Sequence, residues 1–113
     1  MLSIALAAPA SAAGPTASAS KACSLSLSQQ RNSGATYLIE LRVSGTTCSS
    51  GLKVERAWQS CRRSTAGKMT CRKRVLGYGC KQTILGTSKK QYDARVTCSA
   101  GSKVVKFTYT QNR

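Results

Sequence analysis

Apolar and polar residues alternate in two runs near the beginning of the chain, and this period of two is typical of half-buried β-strands. The first run covers residues 23–28 and the second covers residues 36–44. In the second run the residues expected on one face are Tyr37, Ile39, Leu41 and Val43. Because Asn32-Ser33-Gly34 between the runs favours a turn, the pattern predicts a β-hairpin.

A helical period follows the hairpin. Four residues occur at the i, i+3, i+4 and i+7 spacing of one helical face: Val54, Ala57, Trp58 and Cys61. Thr47 precedes this segment and can cap a helix by accepting a backbone N–H. Arg62 and Arg63 suit the negative end of the helix dipole. We therefore expect a helix over residues 47–62, with Trp58 as its buried anchor.

Three further strands are predicted in the second half of the chain. The first lies within residues 69–82, where Gly77 and Gly79 suggest a β-bulge. The inward positions of the other two are Tyr92, Ala94, Val96 and Cys98, then Val105, Phe107 and Tyr109. Short connections between strands favour antiparallel neighbours. The expected fold is a small disulfide-stabilised α+β domain of order β-β-α-β-β-β, with one helix packed on an antiparallel sheet.

The six cysteines are spread over this domain, at Cys23, Cys48, Cys61, Cys71, Cys80 and Cys98. No two have the C-x-x-C spacing of a zinc site, and the chain contains no histidine. We therefore expect three disulfide bonds and no metal ion or cofactor. The sequence leaves the pairing open, and a Cys61–Cys71 bond is one of the options.

The first 20 residues carry no charge, and they have the order of a secretory signal peptide. An apolar run is followed by Pro9 and by the small residues Ala10-Ser11-Ala12, but a basic n-region is missing. We expect a truncated signal peptide at residues 1–12, a flexible segment at residues 13–22 and a single domain at residues 23–113. The apolar run is too short for a transmembrane segment, so the expected localisation is extracellular.

Several short landmarks resemble a recurring plan of small exported actinobacterial proteins of unknown function. They are Val43 with Cys48, the amphipathic helix, Gly77-Tyr78-Gly79-Cys80, Val96-Thr97-Cys98 and Gly101 with Val104 and Phe107. The resemblance covers residues 38–109. The sequence departs from this plan in two features, the extra cysteines Cys23 and Cys71 and the heavy basic charge. The resemblance implies the fold and export, and it assigns no functional residue.

Composition excludes most enzyme chemistry. The 113 residues include 18 Lys+Arg, 3 Asp+Glu and no His, for a formal net charge of +15. Without histidine, neither Ser–His nor Cys–His activation of a nucleophile is available. The three carboxylates, Glu40, Glu55 and Asp93, are expected to be salt-bridge partners of the many cations. We therefore expect a protein that is not an enzyme and has no catalytic residue.

The basic charge is concentrated in the helix and the segment after it. Eight of the 18 cations lie within 22 residues: Lys53, Arg56, Arg62, Arg63, Lys68, Arg72, Lys73 and Arg74. A single-sign field of this density attracts polyanions. The sequence favours a secreted cationic protein that binds anionic cell-envelope polymers, anionic membrane surfaces or acidic proteins. Nucleic acid is expected to bind only non-specifically, because most aromatic residues lie on faces predicted to be buried.

Two alternatives stay open at this point. Cys61-Arg62-Arg63-Ser64 resembles the reactive loop of some disulfide-stapled serine-protease inhibitors, with Arg63 entering an acidic specificity pocket. The second hypothesis is therefore a protein-binding module that uses a Cys61–Cys71 loop. Alternatively, the basic charge serves solubility alone.

Overall fold

One five-stranded antiparallel sheet forms the centre of the computed structural model, which describes residues 20–113. The elements are β1 (Lys21–Ala22), α1 (Leu27–Arg31), β2 (Tyr37–Ser44), α2 (Cys48–Ser64), β3 (Gly79–Thr87), β4 (Gln91–Ala100) and β5 (Lys103–Asn112). The strand order across the sheet is β1-β2-β5-β4-β3, and every pairing is antiparallel. The signal peptide predicted at residues 1–12 and residues 13–19 of the predicted flexible segment lie outside the described residues.

The predicted α+β architecture is confirmed, with α2 packed on one face of the sheet. Trp58 is 1% exposed, and its ring centroid lies 5.7 Å from that of Phe107 and 5.8 Å from that of Tyr109. Thr47 caps α2 as expected, because its hydroxyl accepts the Ser50 N–H at 3.1 Å. The helix continues two residues beyond the predicted end. Burial of the aromatic face against β5 therefore fixes the helix on the sheet.

The first strand of the predicted hairpin is wrong. Ser26 is instead the N-cap of α1, where its hydroxyl accepts the Gln29 N–H at 3.1 Å. In return, the Gln29 carboxamide oxygen accepts the Ser26 N–H at 2.8 Å. This capping box outweighs the alternation of residues 23–28. On the side away from β5, β2 pairs instead with β1. This strand consists of two residues that the sequence analysis assigned to the flexible segment.

Ile39 is also misplaced by the alternation. It is 45% exposed, because a β-bulge between Leu38 and Glu40 shifts the pairing of β2 with β5. The extra residue puts Leu38, rather than Ile39, on the buried face with Leu41. Tyr37, which was expected on the same face, is half-buried.

The third predicted strand begins later than expected. Residues 65–78 form a loop, and β3 runs from Gly79 to Thr87. A tight turn ends the loop: Val75 and Tyr78 exchange two backbone hydrogen bonds, of 3.0 and 2.8 Å, across Leu76 and Gly77. Both central residues have positive φ, 49° and 83°, as a type I′ turn requires. The bulge expected near Gly79 is found farther along β3, after Ile84.

Three disulfide bonds tie these elements together, as the even number of cysteines predicted. They join Cys23 to Cys48, Cys61 to Cys71 and Cys80 to Cys98. The first fixes the segment before α1 to the start of α2, and the second fixes the end of α2 to the following loop. The third links directly opposed residues of β3 and β4. Among residues 20–113, no helix has the length and apolar character that a membrane span needs.

Candidate anion-binding site

The eight predicted site residues lie on α2 and on the loop that follows it. Seven of the side chains are exposed, whereas Arg62 is only 2% exposed. Arg56 and Arg63 are seven residues apart, so they share one flank of the helix. Arg72 and Lys73 line a separate depression beside Cys61. The structure therefore divides the cluster between two sides of α2.

Two adjoining clefts occupy the flank of α2 that carries Arg56 and Arg63. The smaller, of about 460 Å³, lies between α1 and α2 and is lined by Arg31, Arg56 and Arg63. The larger, of about 800 Å³, continues past Arg63 and is lined by two further exposed cations, Lys68 and Arg113. Both clefts include Gly34, Ala35 and Arg63 in their walls. We call this continuous depression, with its five exposed cations, the basic groove.

The loop of residues 32–36 forms the wall of the groove that faces α2. Gly34 has a φ of +101°, and a Cβ placed there would lie 2.7 Å from Cβ of Gln59. Glycine is therefore required both for the backbone conformation and for the close approach to the helix. Gln59 lies on α2 between Arg56 and Arg63, so this contact holds the loop against the middle of the basic flank.

Arg62 forms the floor of the larger cleft and is committed to contacts within the protein. Its Nε donates to Oε1 of Gln59 at 2.7 Å, and its Nη1 donates to the Lys68 carbonyl at 2.9 Å. Its Nη2 donates to the Gly34 carbonyl at 3.3 Å and to Oε1 of Gln111 at 3.0 Å. These bonds join α2 to both flanking loops and to β5. Arg62, one of the ligand-binding residues predicted from the sequence, is thus buried and bonded to the walls of the groove.

The carboxylates do not neutralise the groove. Glu40 forms a 3.9 Å ion pair with Arg42, which is the one salt bridge found within residues 20–113. Asp93 accepts a hydrogen bond from the Thr110 hydroxyl at 2.6 Å. Neither residue lines either cleft.

The third carboxylate, Glu55, lies on the buried face of α2 and is 0% exposed. Neither of its oxygens has a hydrogen-bond partner in the described part of the chain. Burial raises the pKa of Glu55 to about 8, although Gln59, Arg56 and Arg62 act in the opposite direction. At neutral pH the side chain is therefore mostly protonated, and it leaves the charge of Arg62 uncompensated.

Two groove residues, Arg31 and Arg113, were missed by the sequence analysis. Arg31 is the last residue of α1, a helix where the alternating pattern predicted a strand. Arg113 follows the last strand. Neither lies near the dense charge run in the sequence. Only the fold brings them to the groove, by placing the end of α1 across the smaller cleft from α2 and the end of β5 beside Lys68.

The loop proposed for a protease inhibitor has a different local structure from the one such an inhibitor needs. The Cys61–Cys71 bond on which that hypothesis depends is present. Residues 61–64, however, form the last turn of α2, whereas the reactive loop of an inhibitor is extended. Arg63 therefore presents its side chain from a helix.

Comparison with known family models, with curated proteins and with solved structures finds no significant match. Within residues 20–113, no three His, Cys, Asp or Glu side chains are grouped as a metal site would require. The groove itself is therefore the basis for a functional assignment.

Proposed function

We propose that this chain is a secreted cationic protein without enzymatic activity, which binds anionic polymers or surfaces through its basic groove. The observation that carries this proposal is the convergence of five exposed cations on one depression that no Asp or Glu side chain of residues 20–113 lines. The uncharged, signal-like leader supports export, and three disulfides are typical of proteins that fold in oxidising compartments.

Binding of this kind is driven mainly by electrostatics. The cations of the groove replace small cations that are condensed on the polymer, and the release of these counterions favours association. The candidates are anionic cell-envelope polymers, anionic membrane surfaces and acidic proteins. Five of the six aromatic residues are buried, and the sixth, Tyr37, is half-buried and lines neither cleft, so the groove offers no exposed platform for nucleobases. Nucleic acid would therefore bind through its backbone and without sequence preference.

A protein-binding module such as a serine-protease inhibitor is the alternative hypothesis. The helical backbone around Arg63 favours the polyanion proposal over it. The two hypotheses differ in their response to salt, because a shape-fitted interface depends much less on counterion release than a polyanion does.

The test is a salt titration with the oxidised protein. Its affinity for duplex DNA, inorganic polyphosphate and poly-glutamate is measured by fluorescence anisotropy over a series of salt concentrations. We expect the logarithm of the affinity for DNA to fall linearly with the logarithm of salt, with a slope of about 0.9 per phosphate neutralised. The absence of binding to all three polymers at low salt would overturn the proposal, and so would an affinity that ignores salt.

A further inference from the structure

We infer that the smaller cleft of the basic groove is a phosphate-selective subsite, in which Arg31, Arg56 and Arg63 hold neighbouring phosphate groups of a linear chain. This inference rests on the proposed function, since it names the anionic group that the groove recognises. It adds selectivity among anions, which a diffuse positive field does not provide.

The placement of the three arginines supports a ligand with more than one phosphate. Arg56 and Arg63 are two helical turns apart, so their backbones are separated by about 10 Å along the axis of α2. Arg31 enters the same cleft from the end of α1, on the opposite side. The cleft therefore has two guanidinium groups on one wall and one on the other. Because the three arginines enter the cleft from separate positions and have long side chains, they suit a ligand with several phosphate groups better than one isolated ion.

The chemistry of the side chains supports phosphate over carboxylate or a generic anion. A guanidinium group presents its N–H donors as a planar fork that fits two phosphate oxygens, whereas a lysine ammonium acts as a point charge. All three cations of the smaller cleft are arginines. Within residues 20–113, Arg31 and Arg56 are in no ion pair, and Arg63 makes one long bond, from Nε to the Gln59 carbonyl at 3.4 Å. The terminal nitrogens of Arg63 are thus left for a ligand.

The rest of the groove indicates how a longer chain would continue. Beyond Arg63 the depression passes Lys68 and Arg113, which add two cations along the same path. Among the described residues, the exposed side chains that line this path include no aromatic one. A linear phosphodiester without bases, such as poly(glycerol phosphate), would therefore find all of its contacts here, while the bases of a nucleic acid would add none.

The direct test uses small anions of known composition. Inorganic tripolyphosphate, orthophosphate and citrate are titrated against the oxidised protein by calorimetry, with amide chemical shifts recorded in parallel. We expect tripolyphosphate to bind at least about tenfold more tightly than citrate or orthophosphate, because bidentate bonds to several phosphates add. The largest shifts are expected at residues 31–35, 56 and 63. Equal affinities for tripolyphosphate and citrate would overturn the phosphate selectivity.

Two triple variants separate the subsite from net charge. Arg31→Gln with Arg56→Gln and Arg63→Gln should lose at least about tenfold in tripolyphosphate affinity. The matched control, Arg72→Gln with Arg74→Gln and Arg95→Gln, also removes three positive charges, but from exposed positions outside the groove. Its tripolyphosphate affinity should fall much less. Amide spectra show whether both variants keep the native fold. Equal losses would overturn the subsite while leaving salt-dependent polyanion binding, and hence the proposed function, intact.

Competition experiments identify the source of the phosphates. Poly(glycerol phosphate) should displace tripolyphosphate from the native protein, and this displacement should weaken in the groove variant but not in the control. Oligothymidylate should compete no better per phosphate. If it competes better, the bases contribute to binding, and the assignment of a base-free phosphate chain is overturned.

Discussion

Glu55 gives the stability of this protein a pH dependence that can be measured in isolation. The carboxyl group is completely buried on the face of α2 that also carries Trp58, and it has no hydrogen-bond partner within residues 20–113. Burial raises its pKa from 4.5 to about 8, against the smaller opposing effects of Gln59, Arg56 and Arg62. Between these two values the native state keeps a proton that the unfolded chain releases. The free energy of unfolding must therefore decrease as the pH rises from 4.5 to 8 and then level off.

The size of the effect follows from the shift. One pKa unit corresponds to about 1.4 kcal/mol, so the full loss of stability is about 5 kcal/mol above about pH 8 and about 3 kcal/mol at about pH 7. Replacing the carboxyl with a neutral amide of the same shape removes this loss. Glu55→Gln should thus match the native protein near about pH 4 and exceed its stability by about 3 kcal/mol at about pH 7.

The composition of the chain makes the assay unusually clear. There is no histidine, and all six cysteines are in disulfides, so no imidazole or free thiol overlaps with the titration of Glu55. Urea unfolding, followed by the fluorescence of the single Trp58, is measured over this range with the disulfides intact. Glu40→Gln, at an exposed carboxylate, is the matched control and should keep the native pH dependence. A native stability that is constant or rises over this pH range would refute the reasoning, as would a pH dependence that survives in Glu55→Gln.

Two further predictions concern the packing of α2. Trp58→Ala should destabilise the protein by about 3–5 kcal/mol in urea unfolding followed by circular dichroism, because it empties the contact with Phe107 and Tyr109. An unchanged midpoint would mean that another side chain anchors the helix. Arg62→Met should cost about 3 kcal/mol and accelerate hydrogen exchange in residues 32–36 and 65–69, because it removes one buried and three part-buried hydrogen bonds. Arg63→Met, at the exposed neighbouring position, should change the stability by no more than about 0.5 kcal/mol, and equal losses in the two variants would contradict the role given to Arg62.

The sequence predicted the elements in which one face meets the core without interruption. The helical spacing of four side chains, from Val54 to Cys61, predicted α2. Strict alternation of apolar and polar residues predicted β4 and β5. The failures occur where local hydrogen bonding or an inserted residue competes with that period. Ser26 and Gln29 have the spacing of a capping box, a local signal that lies within the alternating run of residues 23–28. The bulge at Ile39 has no comparable signal, because it depends on the pairing of β2 with β5.

The same distinction applies to the groove. The density of basic residues identified α2 and its loop, but charge density does not specify which flank of a helix a side chain occupies. Arg62 follows Trp58 by four residues and therefore shares its helical face, whereas cations are generally exposed. Arg31 could not be assigned from the charge run, because it reaches the smaller cleft from the end of α1, together with the loop of residues 32–35. A run of charges in a sequence therefore predicts an electrostatic potential, and a selective site requires the second wall that only the fold supplies.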